Sequence, residues 1–354
     1  MRRVRIHRPG SYDQLRIEPV EALAPGPGEV RLAVSHAGVN YADCVVRMGL
    51  YKSAKEFVGW PITPGFEVCG TVAAVGDGVD DLAVGDAVIG VSLFDGYSQT
   101  LTLSREQVFA VPAGLSPAEA AGVPAVFLTA WFALRELAHV RPGERVLVHS
   151  AAGGVGCAAV QLARQFGAKV TGVVGAAHKH DIPLGFGAES VIVKSREDLW
   201  QRAESIAPDG FDVILDPNGV ETLANSYAHL APLGRLVIYG FHTMLPRTGG
   251  RPNWLKLARD WLRTPRFDPL KLTTENRNIL AFNLSFLTQR SDLLIPAMSA
   301  ILDGFANGEL QALPVTEYPV ERVADAHRDL ESAQTVGKLV LRFDTAPPQG
   351  SSAE

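Results

Sequence analysis

Apolar and polar residues alternate at the start of the chain. Val4 and Ile6 are separated by Arg5 and preceded by Arg3, the period-two pattern of a half-exposed strand. The run Val30-Arg-Leu-Ala-Val-Ser-His-Ala-Gly-Val39 predicts a second strand, entered through the turn sequence Ala24-Pro-Gly-Pro-Gly28. Gly and Pro punctuate the chain as far as Pro112, so the first third reads as β-rich. The pattern changes at Ser116-Pro-Ala-Glu119, where a Ser N-cap, Pro at the first helical position and Glu three residues on form a capping box. Ala120 to Leu134 is the most apolar stretch; it contains Pro124, ends at Arg135, and reads as a buried helix too short to span a bilayer. Six apolar strands then alternate with helical stretches: 145–149, 169–174, 190–193, 211–215, 235–239 and 279–282. That alternation predicts a doubly wound parallel sheet of the Rossmann kind. Beyond Ser291 a helix to about Asn307, strands near Leu313 and Lys338 and a helix from Val320 do not extend this pattern. They are assigned back to the first domain. The expected organisation is 1–120, 121–290, 291–344 and a disordered tail over 345–354.

Composition narrows the function classes. A chain of 354 residues exceeds one ordinary core. The net charge of -5 offers no basic surface for nucleic acid. Cys44, Cys69 and Cys157 lack paired spacing, which argues for a reducing, cytoplasmic setting. The basic start, Met1-Arg-Arg-Val-Arg, leads into no apolar run, so no signal peptide is read, and no transmembrane segment is found.

The strongest local signal runs from Val146 to Arg164: a buried strand, the turn Ala152-Gly-Gly-Val-Gly156, then a helix. A pyrophosphate needs bare backbone and the free N–H groups of a helix N-terminus, and Gly153, Gly154 and Gly156 with Val155 offer both. A tight turn with close helix packing would use the same glycines. An NAD site would place a carboxylate at the end of the second strand. Here Thr171-Gly-Val-Val-Gly-Ala-Ala-His-Lys-His180 has none, whereas Lys179, and Lys194 after the third strand, offer cations to a 2′-phosphate. NADPH is therefore the expected coenzyme, the alternative being that both lysines are solvated surface residues.

These residues also carry a resemblance. Gly38-Val-Asn-Tyr-Ala-Asp43, Gly49-Leu-Tyr51, Thr63-Pro-Gly-Phe-Glu67, Ala74-Val-Gly-Asp-Gly-Val79, Val84-Gly-Asp-Ala-Val88, Phe127-Leu-Thr-Ala-Trp131, the glycine loop and Val336-Gly-Lys-Leu-Val340 recur in order. The chain resembles the zinc-independent medium-chain dehydrogenase/reductases, the quinone oxidoreductases and zeta-crystallin. Trp254-Leu-Lys-Leu-Ala-Arg-Asp-Trp261 and Phe282-Asn-Leu-Ser-Phe-Leu287 look most like the vesicle-amine-transport type of synaptic vesicle membrane protein. The resemblance implies a GroES-like catalytic domain, a Rossmann domain and a homodimer joined through the sheet edges. It implies that Asn40, Tyr51 and Thr129 lie near the nicotinamide half, and that Asn218, Gly240, Phe241, Phe282 and Leu284 surround the ribose and nicotinamide. Zinc-dependent relatives place Cys where this chain has Asn40 and His where it has Phe66, so no metal is expected.

Without a metal, reduction of an activated double bond is the least demanding chemistry. The expected activity is NADPH-dependent reduction of a quinone or α,β-unsaturated carbonyl compound. Tyr51 is the candidate proton donor or an aromatic wall; Asn40 is an amide donor or orients the ribose. The segment Leu245 to Leu272 exceeds the connection this fold requires, and Trp254, Leu257, Ala258 and Trp261 recur at helical spacing. That helix is expected to bury its apolar face over the cleft or at a dimer contact. The sharper alternative is a scaffold of little turnover that docks a membrane or protein partner through 253–272.

Overall fold

The computed structural model describes residues 1–344 and divides into two compact units. The expected tail, 345–354, lies outside the described residues. The first unit holds Met1–Gly122, Val315–His327 and the chain from Leu339; the second holds Val123–Pro314 and Arg328–Lys338.

In the first unit β1 (Arg2–Arg5) pairs antiparallel with β2 (Arg16–Pro19). Val4 and Ile6 are fully buried, as the alternation requires. The larger sheet forms around β3 (Glu29–Val39), which pairs antiparallel with β4 (Glu67–Val75) and with β6 (Thr100–Ser104). β5 (Ala87–Val91) and β7 (Val108–Ala110) extend it beyond β4. Even residues of β3, Val30, Leu32 and Val34, face the core. The Ser116 cap forms as read: its hydroxyl accepts from Glu119 N, and the Glu119 carboxylate takes Ser116 N.

The second unit carries six parallel strands: β8 (Arg145–His149), β9 (Lys169–Val174), β10 (Ser190–Val193), β11 (Phe211–Asp216), β12 (Leu230–Ile238) and β13 (Asn278–Ala281). Their order is β10-β9-β8-β11-β12-β13. This is the doubly wound order, with its switch point between β8 and β11. The helix Gly154–Gln165 is buried along nearly its whole length, and it approaches the helix Pro124–Trp131 closely. A Cβ on Gly154 would stand 2.8 Å from Val126 Cγ1, and one on Gly156 2.2 Å from Ser150 O. Two of the three loop glycines are thus demanded by packing whatever binds there. After this sheet the chain supplies β14 (Val315–Pro319) and β15 (Lys338–Arg342), which complete the first sheet as β14-β15-β3-β4-β5-β7.

One expectation is corrected. The segment 291–344 is expected to rejoin the first domain, but 291–314 and 328–338 belong to the second unit. Its helix, Ser291–Ala306, packs there because Phe305 meets Phe127 edge to face at 5.0 Å, and Ala297, Met298 and Ile301 are buried. The helix Trp254–Arg263 forms; within the single chain Trp254 is 68% exposed and Trp261 63%, while Leu257 is half-buried. Its buried residue is Asp260, paired with Lys256 and Arg259, and Lys256 also donates to Thr243 O. The inward side thus combines this polar group with the half-buried Leu257.

Phe305→Ala is expected to lower the stability of the second unit by about 3 kcal/mol, because it removes a buried ring and leaves a cavity beside Phe127. Urea unfolding followed by tryptophan fluorescence checks this; an unchanged midpoint would mean that the helix Ser291–Ala306 is not part of that core.

Candidate coenzyme site

The residues singled out in the sequence fall into two groups. Asn40 and Tyr51 belong to the first unit; the remainder belong to the second.

In the first unit Asn40 caps the helix Tyr41–Arg47. Its side chain accepts from Asp43 N, and Asp43 Oδ2 takes Asn40 N at 2.8 Å. The Asn40 amide Nδ2 also donates to Glu67 Oε1 at 2.8 Å. Asp43, fully buried, further accepts from Gly65 N at 2.9 Å and Tyr97 Oη at 2.9 Å. Burial, reinforced by Asp43, raises the Tyr97 pKa well above its usual value, so the phenol stays protonated and donates. Tyr51 is half-buried in an aromatic group, with Phe66 at 6.0 Å and Phe94 at 6.5 Å between ring centroids. Asp43 and Glu67 act as templates for backbone and amide groups.

In the second unit the glycine loop leaves the carboxyl end of β8. Gly153 is the N-cap of the helix Gly154–Gln165, and no side chain among the described residues caps that end. The nearest atom to a Cβ on Gly153 would be Ser150 O at 3.4 Å, so its outer face is open. Val155 is half-buried in the first turn. At the end of β9 a Cβ on Gly175 would have nothing within 4 Å among the described residues. A helix N-terminus of this length with bare, open backbone beside it suits an anionic diphosphate.

Next to it, Asp216 ends β11. It is fully buried and accepts from Asn218 N, Gly219 N, Thr222 Oγ1 and Ser226 Oγ, between 2.8 and 3.3 Å. This fixes the turn that carries Asn218. Asn218 Oδ1 accepts from Ser150 Oγ at 3.2 Å, which joins that turn to the glycine loop, while its Nδ2 is buried with no partner among the described residues. Thr129 Oγ1 bonds Ala125 O within the helix Pro124–Trp131. Phe282 lies between Phe132 and Tyr239, at 6.3 and 6.4 Å. Gly240 follows Tyr239, Phe241 is exposed, and Leu284 is half-buried in the turn after β13.

The two lysines differ from each other. Lys179 is buried, not solvated, and its ammonium donates to Ala333 O and Thr335 O, both at 2.8 Å. Burial lowers its pKa. Two of its three N–H groups therefore tie the segment 333–335 to the turn after β9. Lys194 stands exposed at the end of β10. The sequence reading missed Ser150, Asp216 and His149. Only the position of Ser150 beside the glycine loop could have flagged it.

A family profile for the alcohol dehydrogenase GroES-like domain matches residues 26–131, and one for zinc-binding dehydrogenases matches 186–341. The synaptic vesicle membrane protein VAT-1 homolog of Rattus norvegicus is 34% identical over 334 residues, 94% of this chain and 81% of that protein. The chain belongs to the medium-chain dehydrogenase/reductase family. Among solved structures, the CurK enoyl reductase superposes with a TM-score of 0.83 at 31% identity, covering 97% of this chain and 99% of that one. The Escherichia coli quinone oxidoreductase, complexed with NADPH, gives 0.82 at 26% identity, covering 97% and 100%. These likenesses put this family member in the quinone-oxidoreductase branch.

The name of one profile raises the question of zinc. At the two positions where zinc-dependent family members place Cys and His, this chain has a carboxamide engaged with Asp43 N and Glu67, and a phenyl ring 5.2 Å from Phe94. Neither supplies the sulfur or nitrogen ligand that such a centre takes. The residues do not fit that metal.

Two histidines of the second unit lie below their usual pKa. Burial holds His149 low, and burial holds His242 near 4. Unfolded histidine takes its proton near pH 6.5. Below that pH the unfolded chain binds protons that these folded groups refuse, so they make stability fall from pH 6.5 toward 4. Urea midpoints measured from pH 8 to 4.5 should show this decline. His149→Leu is expected to make it shallower; an unchanged slope would mean His149 does not contribute.

Proposed function

We propose that this chain is a zinc-independent reductase that uses NADPH to reduce a quinone or an α,β-unsaturated carbonyl compound. The observation that carries the reading is the chemistry of Asn40 and Phe66. With a carboxamide and a phenyl ring at those positions, the reaction is one that needs no Lewis acid there.

The residues that would hold NADPH are Gly153, Gly154, Val155 and Gly156 for the pyrophosphate, Lys179 and Lys194 for the 2′-phosphate, and Asn218, Gly240, Phe241, Phe282, Leu284 and Thr129 for the nicotinamide half. Bound, NADPH supplies a hydride equivalent. The buried partner of Asn218 Nδ2 is then an acceptor oxygen of the coenzyme, and Lys179 keeps one N–H for phosphate beyond the two carbonyls. In the reduction the π pair of the acceptor moves onto its oxygen, which needs a hydrogen-bond donor and finally a proton. Tyr51 is assigned that role, its ring held by Phe66 and Phe94. Asn40, set by its cap and by Glu67, orients the reacting groups and does not transfer the proton.

A second reading is favoured by one observation. Trp254, Leu255, Trp261 and Leu262 are each more than 60% exposed on a helix that also carries Arg259 and Arg263. Such a face suits an anionic membrane surface, and the rat relative is named a synaptic vesicle membrane protein. No helix among the described residues is long and apolar enough to cross a membrane, so the contact would be peripheral.

Mixing the protein with NADPH and a panel of quinones and enones, and following loss of nicotinamide absorbance, tests the first reading. Turnover that survives chelator is expected, and Tyr51→Phe is expected to lower kcat by about tenfold or more with little change in KM. Tight NADPH binding without turnover, together with co-sedimentation on anionic liposomes at low salt, would favour the second. Lys179→Met should weaken NADPH more than NADH; equal losses would remove Lys179 from the 2′-phosphate site.

A further inference from the structure

We infer that Ser150 and Asn218 form a clasp across the switch point, in which Ser150 positions the Asn218 amide to donate to an acceptor oxygen of the bound dinucleotide. This rests on the coenzyme reading above and adds a positioning residue to it.

Consider each polar atom of Asn218. Its N–H is spent on Asp216 Oδ1 at 2.8 Å. Its carbonyl accepts from Thr243 N at 3.1 Å and Thr243 Oγ1 at 2.7 Å. Its Oδ1 accepts from Ser150 Oγ. Backbone and amide oxygen are thus anchored from three directions. Only Nδ2 is left, buried and without a partner among the described residues. As placed, this donor reaches no acceptor among the described residues, and a buried unsatisfied donor is costly. The acceptor that meets it comes from outside the chain.

Ser150 carries a second cost at the same place. It is a non-glycine residue with φ of 56°, the left-handed region that L-residues other than Asn and Asp avoid. Its carbonyl receives Gly153 N at 2.9 Å, so the strained residue also sets the first turn of the glycine loop. Ser150 is exposed, which puts the Asn218 amide one hydrogen bond beneath the surface. In this arrangement Oδ1 faces the hydroxyl and Nδ2 lies at the opposite end of the amide. Strain and an unmet donor meet at one hydrogen-bonded pair, on the two loops that flank the switch point, where ligands of this fold bind.

The test uses the full chain and three variants: Ser150→Ala, Asn218→Leu and the double variant. NADPH affinity is measured by calorimetry and thermal stability without ligand. Asn218→Leu is expected to raise the Kd for NADPH about tenfold. It should leave the ligand-free Tm unchanged or higher, since it removes an unsatisfied donor. Ser150→Ala is expected to raise the Kd by roughly fivefold, and the double variant to be no worse than Asn218→Leu, because both act through one amide. Unchanged Kd values, additive losses, or losses that follow a fall in Tm would overturn the clasp while leaving the coenzyme reading intact. Should the unaltered chain bind neither NADPH nor NADH, both would fall together.

Discussion

Two buried carboxylates set the local geometry on which everything else rests. Asp43 and Asp216 are both fully shielded from solvent. An ionised carboxylate so placed costs several kcal/mol unless its oxygens are filled with hydrogen bonds. Asp43 collects two backbone N–H groups and a phenol; Asp216 collects two backbone N–H groups and two hydroxyls. Each thereby dictates a backbone turn: Asp43 the cap that holds Asn40, Asp216 the turn that holds Asn218. In each case the carboxylate is spent on shape. His327 completes the first of these arrangements. Arg47, always a donor, faces its Nδ1 at 3.3 Å, so the imidazole proton lies on Nε2, toward Tyr97 Oη at 3.4 Å. Burial and Arg47 both lower the His327 pKa, and the ring stays neutral. The bonds then run in one direction, from Arg47 through His327 and Tyr97 to Asp43.

What the sequence made legible follows from periodicity and short-range chemistry. The six parallel strands, the glycine loop and the Ser116 cap were readable because each is encoded within a few neighbouring positions. What depended on distant partners was not. Nothing local tells that Lys179 meets carbonyls more than 150 positions away, or that Ser150 meets Asn218. The helix Ser291–Ala306 was assigned to the wrong unit because an amphipathic pattern says that a face is buried and not against what. For the helix Trp254–Arg263 the spacing gave an apolar face, but not the pair Lys256 and Asp260 that anchors it inward beside the half-buried Leu257.

The glycine loop shows why a motif is weaker than its context. Gly154 and Gly156 are required by Val126 and by Ser150 O, so their presence would be explained by packing alone. What distinguishes a binding loop from a tight turn is the part that packing leaves unexplained. Gly153 has open space where a side chain would fit, the helix end beside it has no side-chain cap, and the neighbouring turn holds a donor with no acceptor. These three features are unfavourable or wasteful in a chain that binds nothing, and each is corrected by one anionic, acceptor-rich ligand.

The same logic bears on the exposed helix. Thr243 holds the carbonyl of Asn218 and gives its own carbonyl to Lys256, which pairs with the buried Asp260. The outward Trp face and the turn that carries Asn218 are therefore ends of one hydrogen-bonded series, not neighbours by accident of sequence. An apolar anchor would have fixed the helix as well, but it would have hidden Trp254 and Trp261. A polar anchor leaves the aromatic side available and makes its attachment directional, since each donor and acceptor fits only one partner.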